Sequence, residues 1–170
     1  MPATSLYTFV DLFARQVVAT RHLLAKGAGH AAANGVAERE MLGWRLIDDM
    51  HPLSFQLMVV INFSTQWTAR AAGLPEQPGI EADLDADTFQ AAIDDAKAFL
   101  ATLTSAQFEG RDEVMITHKI TDTMEPTLSA AQWLTVFATT NIYFHISTAY
   151  GILRAHGVPL GKIDMFASGL

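Results

Sequence analysis

From Trp133 to Leu153 the chain runs for 21 residues without a formal charge, about the length of a membrane-spanning helix. Such a segment needs apolar surroundings, either lipid or the inside of a protein. It contains four Thr together with Ser147, Asn141 and His145, and no comparable segment flanks it. These residues favour a buried central helix over a span. The rest of the chain must then supply amphipathic partners to cover it.

Partners are visible. Leu6, Phe9, Val10, Phe13, Val17 and Leu24 recur at three- and four-residue steps, which predicts a first helix from about Leu6 to Lys26. The stretch "KGAGHAAANG", with three glycines, then reads as a loop holding His30. A second helical region spans about Ala37 to Ala72, with Leu42, Leu46, Met50, Leu53, Leu57, Val60, Ile61 and Ser64 on one face. Within its "IDDMHP" interruption, Pro52 forces a kink or a restart, and Asp48 or Asp49 is placed to cap the restart. Phe89, Ile93, Ala96, Leu100 and Leu103 make the face of a helix over about Asp87 to Thr104, with Asp87 and Gln90 as a capping pair. The β-branched run "VMITHKITDTMEPT" suits a short hairpin turning near Thr121–Asp122. Ser129 and Gln132 form a capping box for the last helix, about Ala130 to His156, which Gly157 and Pro159 end. The expectation is an all-α fold: one domain over residues 1–170, an antiparallel four-helix bundle with a short β-hairpin before the last helix.

Composition removes several function classes. With 11 basic and 18 acidic residues the net charge is −7, which disfavours a nucleic-acid partner. There is no cysteine, hence no disulfide, thiolate nucleophile or Cys-ligated metal. "MPATSLYTFVDLFARQ" has no basic region before its apolar residues and meets Asp11 and Arg15 early, unlike a signal peptide, so the expected location is the cytoplasm, with no membrane partner. Between Glu76 and Asp95 lie seven acidic residues and no Lys or Arg, read as a solvated connection and helix N-terminus.

Chemistry concentrates on the last helix, where Phe137, Asn141, His145, Thr148 and Ile152 share one stripe that is apolar at its ends and polar in the middle. Inward polar groups at mid-helix are where bundles build ligand and metal sites. The second helical region offers Asp49, His51 and Gln56 as partners, and an Asp49–His145 contact would fix the tautomer and raise the imidazole pKa. The expected ligand-binding set is Asp49, Gln56, Asn141, His145 and Thr148, around a small molecule and with no cofactor. The alternative is one divalent transition metal such as Zn or Ni on His51, His145 and Asp49. The other histidines serve less well: His22 shares a polar face with Asp11 and Arg15, His118 falls in the hairpin, and His156 sits at a helix C-terminus. The sequence does not identify a catalytic residue. Ser147 and Thr148 lack a nucleophile elbow, and no phosphate loop follows a strand. Tyr143, Tyr150 and Arg154 form a second stripe, suited to a homodimer surface.

Three segments carry a resemblance: "SLYTFV", "DMHPLSFQ" (Asp49 to Gln56) and "NIYFHISTAYGILRAHGVPLGKIDMF" (Asn141 to Phe166). With them the chain resembles the DinB/YfiT-like bundle superfamily, and within it a bacterial and fungal branch known only as a domain of unknown function. The resemblance implies a four-helix bundle with short strands before the last helix, often dimeric. Many superfamily members bind a metal through one histidine of the second helix and an H-x-x-x-H pair of the last. Here the pair reads Asn141-x-x-x-His145, so one ligand is replaced, and His51 lies near the second-helix position. Thiol transfer and metal-dependent hydrolysis, known in the superfamily, are therefore not carried over to the leading reading; the alternative the resemblance implies is a metal-dependent transferase or hydrolase using His51 and His145, with Asp49 as ligand or base.

Overall fold

Ser129 Oγ accepts from the Gln132 amide at 3.2 Å, and the Gln132 carboxamide accepts from the Ser129 amide at 3.1 Å. This reciprocal cap starts the last helix where the sequence predicts. The structure, a computed structural model, describes residues 5–167 and 169; residues 1–4, 168 and 170 of the expected domain lie outside the described residues. Four long helical segments make the bundle: α1 (Thr8–Ala33), α3 (Leu53–Ala72), α4 (Ala86–Thr102) and the last helix. The last is continuous through α5 (Ala130–Gln132), a π-helical turn (Trp133–Ala138) and α6 (Thr139–Ala155). A short α2 (Glu38–Leu42) follows α1, and β1 (Met115–Thr117) pairs antiparallel with β2 (Thr127–Ser129). Among the described residues no helix is long and apolar enough to cross a membrane.

Contacts along the helices set their directions. Gln56 faces His145, Phe63 faces Phe137 and Trp67 faces Trp133, so α3 runs against the last helix. Arg21 pairs with Asp94, and Tyr7 packs on Phe108 just beyond the end of α4, so α4 runs against α1. Gln16 meets Tyr143 and Gly27 meets Leu153, which sets α1 parallel to α6. It follows that α3 and α4, consecutive in the chain, point the same way. The connection between them, residues 73–85, must return along α3. Thirteen extended residues reach about 40 Å, enough to retrace a helix of about 30 Å. Two side chains of α3 hold it there: Asn62 donates to the Ile80 carbonyl (2.9 Å) and accepts from its amide (2.8 Å), and Gln66 donates to Gln77 (3.4 Å).

The hairpin is fixed to the bundle by aromatic packing. Trp133 Nε1 donates to the Ile116 carbonyl at 2.8 Å, Trp67 stacks on Trp133 at 4.7 Å between centroids, and the His118 edge meets both rings. Burial, with Arg70 nearby, lowers the His118 pKa.

Several local expectations are corrected. The glycine-rich stretch is no loop: α1 continues to Ala33 and turns only at Asn34 and Gly35, whose φ is +70°, so His30 is helical. Of the two outcomes expected at Pro52, the second region restarts rather than kinks. Its chain leaves helix from Gly43 to Pro52, and Leu46 is exposed rather than in the core. Neither Asp48 nor Asp49 caps α3; Pro52 is the N-cap, and the Leu53 amide donates to the Trp44 carbonyl at 2.8 Å. At α4 the cap is Asp85, accepting from the Thr88 amide at 2.7 Å, rather than the Asp87–Gln90 pair.

The two helical glycines explain the first correction. A Cβ at Gly27 would lie 2.7 Å from Leu153 Cδ2 and 3.1 Å from Met41 Sδ, both on fully buried residues, so the missing side chain lets α1 approach α6. Gly29 has nothing within 4 Å of its would-be Cβ. Gly29→Ala should therefore stabilise by about 0.5–1 kcal/mol through helix propensity. Gly27→Ala should destabilise by about 1–3 kcal/mol through overpacking. Urea unfolding midpoints of the two variants should move in opposite directions.

Candidate functional site

Gln56 is one turn into α3, 2% exposed, and its partners are set by what each can accept or donate. Gln56 Nε2 donates to the His51 carbonyl at 2.9 Å, which a backbone oxygen can only accept. Its Oε1 is thereby turned toward His145 and lies 2.7 Å from Nδ1. An amide oxygen cannot donate, so His145 carries its proton on Nδ1. Nε2 is then an acceptor. It has no hydrogen-bond partner among the described residues and is not among their solvent-excluded unpaired atoms, so it is open to solvent.

The surroundings keep this imidazole neutral. Burial, and next the charge of nearby His51, pushes the His145 pKa down from 6.5 to about 4. The His51 ring stacks on Phe55 at 3.9 Å, while Phe55 and Phe144 meet the His145 ring edge-on at 5.9 and 5.1 Å. The resulting group is a half-buried acceptor nitrogen flanked by aromatic rings. It can take a hydrogen bond from a hydroxyl, amide or amine near neutral pH.

The other candidate residues fall into place around this pair. Asp49 is exposed and makes no hydrogen bond or ion pair among the described residues, so the expected Asp49–His145 contact does not form. The partner is the neutral amide of Gln56, and the imidazole pKa is lowered rather than raised. Asn141 lies one turn from His145, but its Nδ2 donates to the Phe137 carbonyl at 2.8 Å, at the end of the π-turn. Thr139 likewise donates to Leu134 at 2.9 Å. Side-chain donors at both positions serve carbonyls around a widened turn. Thr148 is buried, and its hydroxyl donates to Phe144 at 2.8 Å within its own helix.

A metal does not suit this donor set. Among the described residues no group of three or more His, Asp or Glu side chains is placed to hold an ion, so His51, His145 and Asp49 do not converge. An imidazole oriented through Nδ1 is how a metal ligand is usually held, but the remaining ligands are missing. Elsewhere His22 bonds Asp164 at 2.7 Å and His156 stacks flat on Trp44 at 4.2 Å. Of the second stripe, Tyr143 accepts from Gln16 Nε2 at 3.3 Å, Tyr150 packs on the core and Arg154 donates to Val158 at 3.2 Å. Phe144 flanks the polar stripe in the sequence as well, whereas Phe55 is missed by sequence reasoning; the signal available was its place next to Gln56.

The bundle with its crossing connection and hairpin is DinB-like. It matches the crystal structure of a DinB family member protein from Shewanella denitrificans with a TM-score of 0.82 and 26% identity, over 95% of this chain and 91% of that one. The model of a family described as a domain of unknown function (DUF1993) matches residues 6–166, and the chain belongs to this family. No curated protein matches the chain.

Keeping His145 neutral couples stability to pH. An unfolded chain protonates His145 near 6.5 whereas the folded protein holds it neutral to about 4, so between these values the unfolded state binds more protons. The stability contributed by the neutral group is complete above about pH 6.5 and is lost as pH falls toward 4. The free energy of unfolding measured from pH 7 to 4 should fall less steeply for His145→Gln than for the native chain, with His118 supplying part of the residual slope. Nitrogen NMR should show the Nδ1–H tautomer at pH 7.

Removing the partner separates the two amides. Gln56→Leu leaves a half-buried Nδ1–H unpaired and should cost about 1–3 kcal/mol. Asn141→Leu loses a bond within its own helix and should stay within about 1 kcal/mol of the native stability. Thermal unfolding of the two variants checks the contrast.

Proposed function

We propose that this chain is a cytoplasmic, metal-free member of its family that works as a homodimer and binds a small molecule, or serves as a stress-associated accessory protein, through the Gln56–His145 pair. The observation that carries this reading is the 2.7 Å contact between Gln56 Oε1 and His145 Nδ1, with the amide itself anchored on His51. It leaves one directed acceptor, Nε2, beside aromatic rings. The ligand class it suits is a compact, partly apolar molecule with a hydroxyl or N–H donor.

The dimer reading rests on a second observation. Val136 and Phe144, 64% and 56% exposed, lie on the last helix with Tyr143, and Ile47 is 59% exposed. Leu46, 42% exposed, sits over Gly151 of the same helix, 3.8 Å from its would-be Cβ. Exposed apolar side chains grouped this way mark interaction surfaces. A second copy on this face would wall the imidazole through Phe144.

Three experiments test the proposal. Pools of small metabolites are screened by thermal shift and by the His145 ring signals; a compound that stabilises the native chain and shifts those signals, but acts on neither with Gln56→Leu, is the expected result. No stabilising compound and no shift would count against ligand binding. Sedimentation should show a dimer that Val136→Glu with Phe144→Glu converts to monomer. Elemental analysis of untagged protein addresses the metal-dependent transferase or hydrolase alternative: below about a tenth of an equivalent of zinc or nickel, without stabilisation on adding either, is expected.

A further inference from the structure

The connection that returns along α3 does not close flush on the bundle. Between α3, residues 77–84 and α4 it leaves a cavity of about 440 Å³, within the size range of small-molecule sites. Its walls are mostly apolar, with Ile61 from α3, Ile80 and Leu84 from the connection, and Ala92, Ala96 and Phe99 from α4. The amides of Asn62 and Gln66 hold the connection in place as a wall, and Gly79 lets them approach, since its would-be Cβ would lie 3.1 Å from Gln66 Nε2.

The acidic run divides according to this cavity. Glu76 pairs with Arg70, Asp94 pairs with Arg21, and Asp85 caps α4. Glu81, Asp83 and Asp95 line the cavity and, among the described residues, have no ion-pair or hydrogen-bond partner. No Lys, Arg or His lines it to neutralise them. Asp87, in the first turn of α4, also has no such partner among the described residues and lies outside the lining, so three of the four carboxylates of the run without one are at the hollow; α1 and the last helix contribute nothing to its lining.

We propose that this cavity is a binding site for a small amphiphilic cation, an aliphatic ammonium compound whose chain lies against Ile61, Leu84 and Phe99 while its head group meets Glu81, Asp83 and Asp95. Apolar burial supplies the affinity, and the carboxylates reject anions and favour cations over neutral chains of the same length. The site is separate from the Gln56–His145 pair and stands or falls independently of it.

Calorimetry and NMR titration with hexylammonium, 1-hexanol and hexanoate test the proposal. Hexylammonium should bind at one equivalent, at least about tenfold more tightly than 1-hexanol, with hexanoate not detected. Glu81→Gln with Asp95→Asn should weaken hexylammonium at least about fivefold and leave 1-hexanol unchanged. Glu125→Gln, in the hairpin, controls for overall charge and should change neither. Ala92→Trp should abolish both, and Thr88→Trp, from the exposed edge of the same cavity, serves if that variant does not fold. His145→Gln should leave hexylammonium binding intact. Equal affinity for the cation and the alcohol, or equal effects of the cavity and hairpin acid variants, would overturn the charge selection. Binding that survives the tryptophan variants would overturn the site.

Discussion

Along the seam between α3 and the last helix the contacts change character from one end to the other. At the hairpin end, along the π-helical turn, Trp67 stacks on Trp133 and Phe63 meets Phe137. At the other end Gln56 meets His145 by a hydrogen bond. The aromatic end fixes the register of the two helices, and that register brings Gln56 level with His145. The hairpin adds to the same end through the Trp133–Ile116 bond, so its small sheet helps to align a site far along the helix. The uncharged run of the last helix requires this close cover, because its apolar surface is otherwise left to water.

Much of this frame is legible in the sequence for local reasons. The face of α4, the Ser129–Gln132 box and the hairpin are each encoded within a few residues, where periodicity and capping chemistry act. Gly27 and Gly29 show where local reading ends. Both look like helix breakers, yet the helix passes through them, because the cost of glycine is offset at Gly27 by contact with Leu153, more than a hundred residues away. The direction of α4 is likewise absent from local sequence. Only the length and Pro/Gly content of residues 73–85 hint that the chain travels back before turning.

The site is legible in its place but not in its pairing. His145 and Gln56 both stand out in sequence, but a carboxylate is the stronger partner for an imidazole, and Asp49 is close by in the chain. Pro52 decides otherwise. It ends the non-helical stretch, leaves Asp49 in an exposed turn and starts α3 so that Gln56 faces inward. With an amide in place of an acid the imidazole gains orientation but no charge stabilisation, and burial then lowers its pKa. One replacement reverses the electrostatic behaviour of the group. Asn141 completes the change, since its amide serves the helix backbone at the π-turn.

The polar side chains of α3 separate structural tasks from candidate functional ones. Ser64, Thr65 and Thr68 return their hydroxyls to carbonyls of their own helix, and Asn62 and Gln66 bind the backbone of the connection. Backbone partners are there whatever the ligand state, so these groups are fully accounted for by folding. Among the described residues of α3, Gln56 is the one whose hydrogen bond reaches a side chain of another long helix. A buried amide there needs a partner, but an apolar pair of similar shape would have met the packing need without desolvating either group. Packing alone therefore does not call for Gln56 and His145. What the pair supplies that an apolar pair cannot is a fixed tautomer with its acceptor nitrogen turned to solvent, which is the property a binding site needs.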